Sequence, residues 1–253
     1  MAKEREHGVV LAERRSPTPM LGVAVVEDLV DAIVSGRLEP GDLLPPEGPL
    51  SEQFGVSRTV IRESVKRVEE KGLVTIERGR GTQVRPTSSW NILDRVVLTS
   101  LIKHDDSLGV LDELSVVRAQ LESVMAAEAA RARDDDQLAR LDAAMQRMRE
   151  TVDDQAAFRR ADIEFHDVVM EISGNRLAES IARILMERAL ESWRYHGIDM
   201  PDAFAITLGE HGAIHAAITE QDAIRAQDAM SVHILESWRR RRLPDHAGKP
   251  RGK

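Results

Sequence analysis

Residues 43–85, LLPPEGPLSEQFGVSRTVIRESVKRVEEKGLVTIERGRGTQVR, decide the fold of the first part of this chain. Apolar spacing before Gly55 predicts a short helix that ends at this glycine, and Ser57 is typical of the N-cap of a second helix. The second helix is predicted to run to about Lys71, because Gly72 follows it. Two helices joined by a tight turn form a helix-turn-helix, whose second helix enters the major groove of DNA.

The second helix has two different faces. One is apolar and predicted to be buried; it carries Ile61, Val65 and Val68. The other is basic and carries Arg58, Arg62 and Lys66, with Thr59 beside them. A basic helix face is more often merely solvated, but residues 57–86 hold eight Lys/Arg against four Glu in a chain of net charge −8. Basic charge concentrated in one element of an acidic protein indicates a surface that binds phosphates.

A small hairpin is predicted after the second helix. Residues Leu73–Arg78 and Thr82–Arg85 alternate apolar and polar side chains, which is typical of strands. Gly79, Arg80 and Gly81 lie between them and would form a basic tip. The sequence therefore predicts a winged helix-turn-helix.

Three segments in this region resemble the winged helix of GntR-family bacterial repressors: Gly41–Glu47, Ser57–Glu63 and Glu70–Val74. The resemblance covers about Val23–Arg85. It implies that Arg58, Thr59 and Arg62 face DNA, and that Gly79, Arg80 and Gly81 contact the minor groove or its phosphates. The chain departs from the family at Gly48, where an arginine that often touches DNA is usual. One expected DNA contact is therefore missing.

Composition limits the class of protein. The chain has 253 residues, enough for two domains, and no apolar run of 18 residues that would span a membrane. The first 20 residues lack the apolar segment of a secretory signal, and the absence of cysteine excludes disulfides and thiolate sites. These features favour a soluble cytoplasmic protein. The acidic balance argues against a nonspecific DNA coat.

The rest of the chain is predicted to be helical. A helix over Leu21–Gly36 precedes the winged motif, another begins at Trp90, and six apolar stripes of helical spacing follow Gly109, with breaks near residues 133–136, 153–155, 173–175, 197–201 and 221. The predicted fold is mainly α: a winged helix-turn-helix with a small β-hairpin, then an all-α antiparallel helical bundle. The predicted parts are a flexible arm (1–19), the DNA-binding domain (20–86), a linker (87–90), an effector and dimerisation domain (91–243) and a disordered basic tail (244–253).

Polar residues fall on the inward faces of three predicted helices. Asp162 and His166 are four residues apart beside Phe165, and His211 and His233 lie on the apolar stripes of two later helices. A carboxylate buried alone costs several kcal/mol, but a carboxylate and imidazoles together can hold a divalent cation. A single histidine on such a stripe is more often a satisfied core residue. Four residues on three faces favour a metal site.

Four further segments resemble the FCD effector domain of the FadR subfamily of GntR regulators: Asp162–His166, Ser173–Asn175, Glu210–His211 and Met230–Ile234. The resemblance covers about Asn91–Trp238 and implies an all-α bundle that often holds a metal through one Asp and three His. It makes Asp162, His166, His211 and His233 the ligands of zinc, nickel or manganese.

Two further residues are candidates for binding an effector. Arg118 matches a family arginine that helps to bind an anionic effector, although an ion pair with Glu122 four residues on is an equal alternative. His215 lies one turn beyond His211 and could be a rival ligand or a second contact.

These features predict a ligand-responsive transcriptional regulator that binds a palindromic operator in double-stranded DNA as a homodimer. The expected effector is a small organic acid, and Trp90–Asp94 followed by Val97 and Leu98 resembles regulators of sugar-acid catabolism such as galactonate or gluconate. The linker would transmit effector binding to the DNA-binding domains. One alternative is a metal-dependent enzyme fused to a DNA-binding domain, for which His215 and Glu164 are the candidate bases. Another is a DNA-bending architectural protein that binds no ligand.

Overall fold

The computed structural model describes residues 18–196 and 202–242. The chain divides into two compact units, Met1–Val97 and Leu98–Lys253. Most of the predicted arm, the predicted break at residues 197–201 and the predicted tail at 244–253 lie outside the described residues. Within the described part, no helix combines the length and the apolar character that crossing a membrane requires.

The first unit contains the predicted helix-turn-helix. Its helices are α1 (Thr18–Val34), α2 (Glu47–Phe54) and α3 (Arg58–Glu70). Helix α1 begins one turn earlier than predicted, because a proline is tolerated in the first turn of a helix, where its missing N–H has no partner. Gly55 ends α2 in the left-handed conformation with φ 63°, and the Ser57 side chain accepts a hydrogen bond from the Val60 backbone N–H to begin α3.

The buried side of the first unit matches the apolar pattern of the sequence. Helix α1 packs on α3, and the apolar stripe of α3 is buried as predicted, with both Ile61 and Val68 fully covered. Packing one face of α3 inward leaves its basic face in solvent. The burial pattern therefore fixes which side of α3 is available to DNA.

The predicted wing is present and slightly shorter than expected. Strands β1 (Val74–Glu77) and β2 (Gly81–Val84) pair antiparallel, with Val74 opposite Val84 and Glu77 opposite Gly81. Gly79 and Gly81 have φ values of 81° and 100°, which only glycine adopts without strain, and they form the turn on either side of Arg80.

The segment after the wing differs from the prediction of a helix from Trp90. A single 3-10 turn covers Thr87–Ser89, and helix α4 (Arg95–His104) begins five residues later than expected. Trp90 Nε1 donates to the Arg85 carbonyl at 3.2 Å, and the Asn91 N–H donates to the Lys71 carbonyl at 2.9 Å. These contacts hold the segment against its own unit, so helical spacing in the sequence was overridden by tertiary contacts.

The second unit is all helical, as predicted. Its helices are α5 (Gly109–Ala132), α6 (Asp135–Glu150), α7 (Gln155–Ser173), α8 (Arg176–Glu191), α9 (Trp193–His196), α10 (Ala203–Thr219) and α11 (Ala223–Arg241). Side chains at four N-caps accept backbone N–H groups and fix the helix starts: Asp134, Asp154, Asn175 and Asp222. The break at Ser192 between α8 and α9 was not predicted.

Helix α5 lies at the centre of this unit and packs against α7, α8, α10 and α11. It contributes a row of fully buried small side chains to the core, namely Ala119, Ala126, Ala129 and Ala130. Small side chains allow neighbouring helices to approach closely. This packing turns the inward faces of α7, α10 and α11 toward one another.

Candidate functional site

Three helices of the second unit bring one carboxylate and three imidazoles together. Asp162 and His166 lie on α7, His211 on α10 and His233 on α11, and one ligand atom of each lies within 4.8 Å of the others. The three histidines are buried, whereas the Asp162 side chain is 33% exposed. The four residues predicted as metal ligands therefore meet at one place, called here the Asp/His cluster.

Each histidine of the Asp/His cluster has its second ring nitrogen close to an oxygen outside the cluster, although the contact of His166 with Glu122 lacks hydrogen-bond geometry. The Nδ1 distances are 2.7 Å from His166 to Glu122 Oε2, 2.9 Å from His211 to Thr207 O and 2.9 Å from His233 to Glu210 Oε2. Metal-binding histidines usually contact a carboxylate or carbonyl in this way, which fixes the ring and its tautomer. The Nε2 atoms are consequently the ones that face the shared centre.

Two distances inside the cluster suit neighbouring ligands of a single ion. His166 Nε2 lies 3.3 Å from His233 Nε2, and His211 Nε2 lies 3.2 Å from Asp162 Oδ1. Two neighbouring ligands about 2.0–2.1 Å from one ion are separated by about 3.3 Å at tetrahedral angles. His211 Nε2 is also buried without a hydrogen-bond partner of good geometry among the described residues. The cluster could therefore hold a divalent metal.

Burial keeps two of the three rings neutral. It lowers the pKa of His211 from 6.5 to about 4, and it lowers the pKa of His233 well below the ordinary value. Burial acts in the same direction on His166, but the Glu122 carboxylate outweighs it and the pKa of His166 is raised. Since an imidazole must be neutral to bind a metal, His166 is the ring that must release a proton.

The free energy of unfolding of the metal-free protein, prepared with a chelator, is expected to decrease as pH falls below about 6.5. His211 and His233 bind fewer protons when folded than when unfolded, so their contribution is full above pH 6.5 and is lost toward pH 4. His211 alone accounts for roughly 3 kcal/mol over this range, while the raised pKa of His166 acts in the opposite direction. Urea denaturation at pH 7 and pH 5 measures the loss, and His211→Asn should reduce it. Equal stability of the chelated protein at both values would contradict this account.

Arg118 forms the ion pair with Glu122 that the sequence offered as the alternative to an effector contact, and it also contacts Tyr195. Its Nε lies 2.7 Å from Glu122 Oε1, and its Nη1 donates to Tyr195 Oη at 2.8 Å. Burial alone would raise the pKa of Glu122, but the Arg118 guanidinium and His166 hold it at about 2. Glu122 therefore stays ionised between a guanidinium and a cluster imidazole. Its link to His166 was not visible in the sequence.

A cavity opens beside the Asp/His cluster. Polar groups from α5, α7, α9 and α11 line it together with apolar side chains; the polar residues include Arg118, Asp162, His233, Tyr195, Ser237 and Arg241. The Arg241 guanidinium lies over the Tyr195 ring, 4.7 Å from its centroid, and its Nη2 donates to Ser237 Oγ at 3.0 Å. Positive groups at the wall of a cavity next to the Asp/His cluster suit an anion.

Sequence reasoning missed Tyr195 and Arg241. A signal for Arg241 was present, since His233, Ser237 and Arg241 recur every four residues and so share one face of α11. No comparable pattern marks Tyr195, which lies on the short helix α9.

His215 does not join the Asp/His cluster or line the cavity described above. Its Nε2 lies 2.6 Å from Asp142 Oδ1 on α6. Four residues along a helix add about 6 Å of rise and about 40° of rotation, so His215 is displaced from the direction of His211. The position of His215 gives no support to its predicted role in binding an effector.

The predicted DNA-binding residues lie on the exposed surface of the first unit. The exposed residues of α3 include Arg58, Thr59, Arg62 and Lys66, and the hairpin turn presents Gly79, Arg80 and Gly81. The Arg80 side chain is 82% exposed. Thus α3 and the wing both carry positive charge on accessible side chains.

Gly48, at the start of α2, lies next to this surface. A Cβ atom added there would lie 3.5 Å from Arg58 Nη2, an ordinary van der Waals distance. The guanidinium of Arg58 therefore lies close to the position from which the usual family arginine would extend.

Comparisons with known proteins agree with both parts of the structure. A family described as "Bacterial regulatory proteins, gntR family" matches residues 21–84, and the FCD domain matches residues 113–236. The galactonate operon transcriptional repressor of Escherichia coli (strain K12) is 34% identical over 220 residues, which cover 85% of this chain and 94% of that protein. The chain belongs to the GntR family of bacterial regulatory proteins. It is therefore a DNA-binding transcriptional regulator with an FCD effector domain.

Other relatives of this GntR-family regulator agree. The HTH-type transcriptional repressor NanR of Cronobacter sakazakii (strain ATCC BAA-894) is 30% identical over 234 residues, covering 90% of this chain and 87% of that repressor. The solved structure of Lar, which controls expression of the Listeria monocytogenes agr system, covers 90% of this chain and 97% of its own, with a TM-score of 0.55 and 19% identity. At that identity, Lar shows a shared fold only.

Membership in this family decides between the functional alternatives. GntR regulators bind operator DNA and small-molecule effectors, and the two repressors are transcriptional regulators rather than enzymes. The reading as a metal-dependent enzyme finds no support among them. The FCD domain likewise disfavours an architectural protein without a ligand.

Proposed function

We propose that this regulator is a cytoplasmic repressor that binds a palindromic operator as a homodimer and responds to a small carboxylate beside a divalent ion. The ion is zinc, nickel or manganese, held by Asp162, His166, His211 and His233. The effector is a sugar acid such as galactonate or gluconate. The observation that carries the proposal is the Asp/His cluster, which adjoins a cavity walled by guanidinium groups.

The groups around the cavity have complementary roles toward a carboxylate. When bound, the ion would supply the largest local positive charge beside the cavity, which would attract a carboxylate. Arg118 is held by Glu122 and Tyr195 and contributes fixed positive charge at the wall. Arg241 and Ser237 lie farther along α11 and line the same cavity, where their polar groups could bind the hydroxyl groups of a sugar acid.

The relatives support this choice of effector. The Escherichia coli relative is a repressor of a galactonate operon, and its alignment spans most of both chains. Galactonate offers a carboxylate together with hydroxyl groups, which is the chemistry that the cavity wall could bind. Galactonate and its epimer gluconate are therefore the first compounds to test.

The effect on DNA binding follows from linkage. An effector releases DNA only if it binds the DNA-incompetent state more tightly, by the same factor by which DNA weakens the binding of the effector. The cavity joins side chains from α5, α7, α9 and α11, so a ligand there contacts several helices at once. We propose that such contacts favour one arrangement of the helical unit.

The homodimer is supported by an apolar surface on the second unit. Along α5 the exposed apolar side chains are Val116, Val117 and Val124, and Leu177 on the neighbouring helix α8 is 73% exposed. Val117 and Val124 lie seven residues apart on one face of α5, and exposed apolar patches of sufficient area mark interfaces. A dimer would also place two recognition helices on two half-sites.

The proposed function is tested in two steps: the protein first selects its DNA site, and the effect of sugar acids on its affinity for that site is then measured. Wild-type protein selects sites from a random double-stranded DNA library, and fluorescence anisotropy then measures affinity with galactonate, gluconate and a neutral sugar. We expect a palindromic site, a complex with two chains, and a change of affinity with the sugar acids only. A non-palindromic site, or equal affinity with all three compounds, would overturn the proposal.

Arg62→Ala should remove sequence discrimination by α3. A bidentate contact from arginine to guanine is worth ~1–3 kcal/mol of discrimination against the wrong base pair. Arg80→Ala on the wing should instead weaken binding uniformly across sequences. Competition gel shifts with the selected site and its single-base variants measure both effects. Unchanged affinity and specificity in Arg62→Ala would contradict the role of α3 in recognition.

A further inference from the structure

The carboxylate of Glu47 holds the guanidinium of Arg62 from one side. Glu47 is the first residue of α2, and Arg62 lies in the second turn of α3. Arg62 Nε donates to Oε1 at 2.9 Å, and Arg62 Nη2 donates to Oε2 at 2.8 Å. This is a side-on pair with two parallel hydrogen bonds, which restricts the rotation of the guanidinium.

The pair leaves the outer edge of Arg62 available. A guanidinium has five N–H donors, and the contact with Glu47 uses the Nε hydrogen and one hydrogen of Nη2. Of the three remaining hydrogens, one on Nη1 and one on Nη2 form an end-on fork directed away from Glu47. Such a fork matches the O6 and N7 acceptors of guanine in the major groove.

We infer that Glu47 is a positioning residue for base recognition: it fixes Arg62 so that the end-on fork meets a guanine. The inference rests on the proposed role of Arg62 in DNA binding. It predicts that the operator has a G·C pair at the position that Arg62 contacts. Glu47 acts through Arg62 and is not itself expected to contact a base.

A contribution to folding stability does not explain the ion pair between Glu47 and Arg62. The Arg62 and Glu47 side chains are 61% and 38% exposed, and exposed ion pairs contribute little to folding. A carboxylate on a DNA-facing surface also repels phosphates, so Glu47 opposes nonspecific binding. A residue that costs affinity for all DNA and restrains one base-reading side chain favours specificity over affinity.

The test compares variants on DNA of known sequence. Wild-type protein first selects its site from a random duplex library, and Arg62→Ala then identifies the base pair at which discrimination is lost. Glu47→Ala is expected to reduce discrimination at that same pair by roughly 2- to 10-fold, the cost of ordering one flexible side chain. Its affinity for random duplex DNA should rise, because a negative charge has been removed.

Two controls separate positioning from a general effect of charge or folding. Glu63 pairs with Lys66 on α3 at 2.9 Å and is also exposed, so Glu63→Ala removes an equal charge from the helix that carries Arg62. It should raise nonspecific affinity without reducing discrimination at the pair read by Arg62. In the Arg62→Ala background, Glu47→Ala should cause no further loss of discrimination.

The outcomes distinguish this inference from the proposed function. If Arg62→Ala leaves specificity unchanged, the recognition role of α3 fails. If Arg62→Ala loses discrimination while Glu47→Ala retains it fully, Arg62 reads DNA without help and the positioning role of Glu47 is overturned. A base pair other than G·C at the Arg62 position would also overturn it.

Discussion

The Asp162→Ala/His211→Ala double variant is expected to lose bound metal and its response to effector while it keeps DNA binding. The two residues lie on α7 and α10, so the substitutions remove ligands from two helices of the Asp/His cluster. The DNA-binding surface belongs to the other compact unit. Elemental analysis of protein purified without chelator measures the metal, and anisotropy with a sugar acid measures the response.

The wild-type protein should also be stabilised by metal. A ligand that binds only the folded state adds RT ln(1 + [L]/Kd) to stability, or about 2.7 kcal/mol at a concentration 100 times Kd. Calorimetry after chelation, with zinc, nickel or manganese then added singly, measures the rise in melting temperature. Affinity should fall as pH drops, because His166 must be deprotonated to ligate.

His215→Ala is the matched control. His215 lies on α10 one turn from His211, but its Nε2 contacts Asp142 on α6. This variant should retain stoichiometric metal. Loss of metal in His215→Ala would indicate that the metal is bound by residues nearer α6.

A wild-type protein without stoichiometric metal, whose melting temperature is unchanged by all three ions, would contradict the metal site. The four residues would then form a polar core network, in which His166 Nε2 and His233 Nε2 share a proton at 3.3 Å. An effector would in that case depend on Arg118 and other side chains of the cavity.

The sequence predicted those features that depend on local pattern. Gly55 and Ser57 mark the turn of the helix-turn-helix because their backbone and capping preferences act over a few residues. The sequence likewise predicted that Asp162 and His166 share a helix face, since side chains four residues apart lie on the same side of a helix. Resemblance to known families then predicted that residues on separate helices form one site, which periodicity alone cannot show.

Features that depend on tertiary contacts were not predictable from the pattern. Glu122 contacts His166 across two helices, and Glu47 pairs with Arg62 although 15 residues separate them. Helical spacing at Trp90 suggested a helix, but hydrogen bonds to the winged unit hold that segment in another conformation. In each case a charged or aromatic side chain contacts a group outside its own helix, and the local sequence pattern does not predict such a contact.

Glu122→Ala is expected to destabilise the second unit by about 3–5 kcal/mol, the usual cost of breaking a buried ion pair. The Glu122 side chain is 1% exposed, and it lies between Arg118 Nε and His166 Nδ1, both at 2.7 Å. Removing the carboxylate would leave the Arg118 guanidinium buried with the Tyr195 hydroxyl as its hydrogen-bond partner among the residues that the structure describes. Urea denaturation of chelated protein measures the loss without a contribution from metal.

The control for this prediction lies on the same helix. Glu128 pairs with Arg131 at 2.7 Å, but both side chains are about half exposed, so Glu128→Ala should cost no more than about 1 kcal/mol. Replacing both buried partners, in Arg118→Met/Glu122→Leu, should recover much of the stability, because no uncompensated charge remains. Only the single variant should therefore be strongly destabilised. Equal stability of Glu122→Ala and Glu128→Ala would show that the burial of Arg118 does not depend on Glu122.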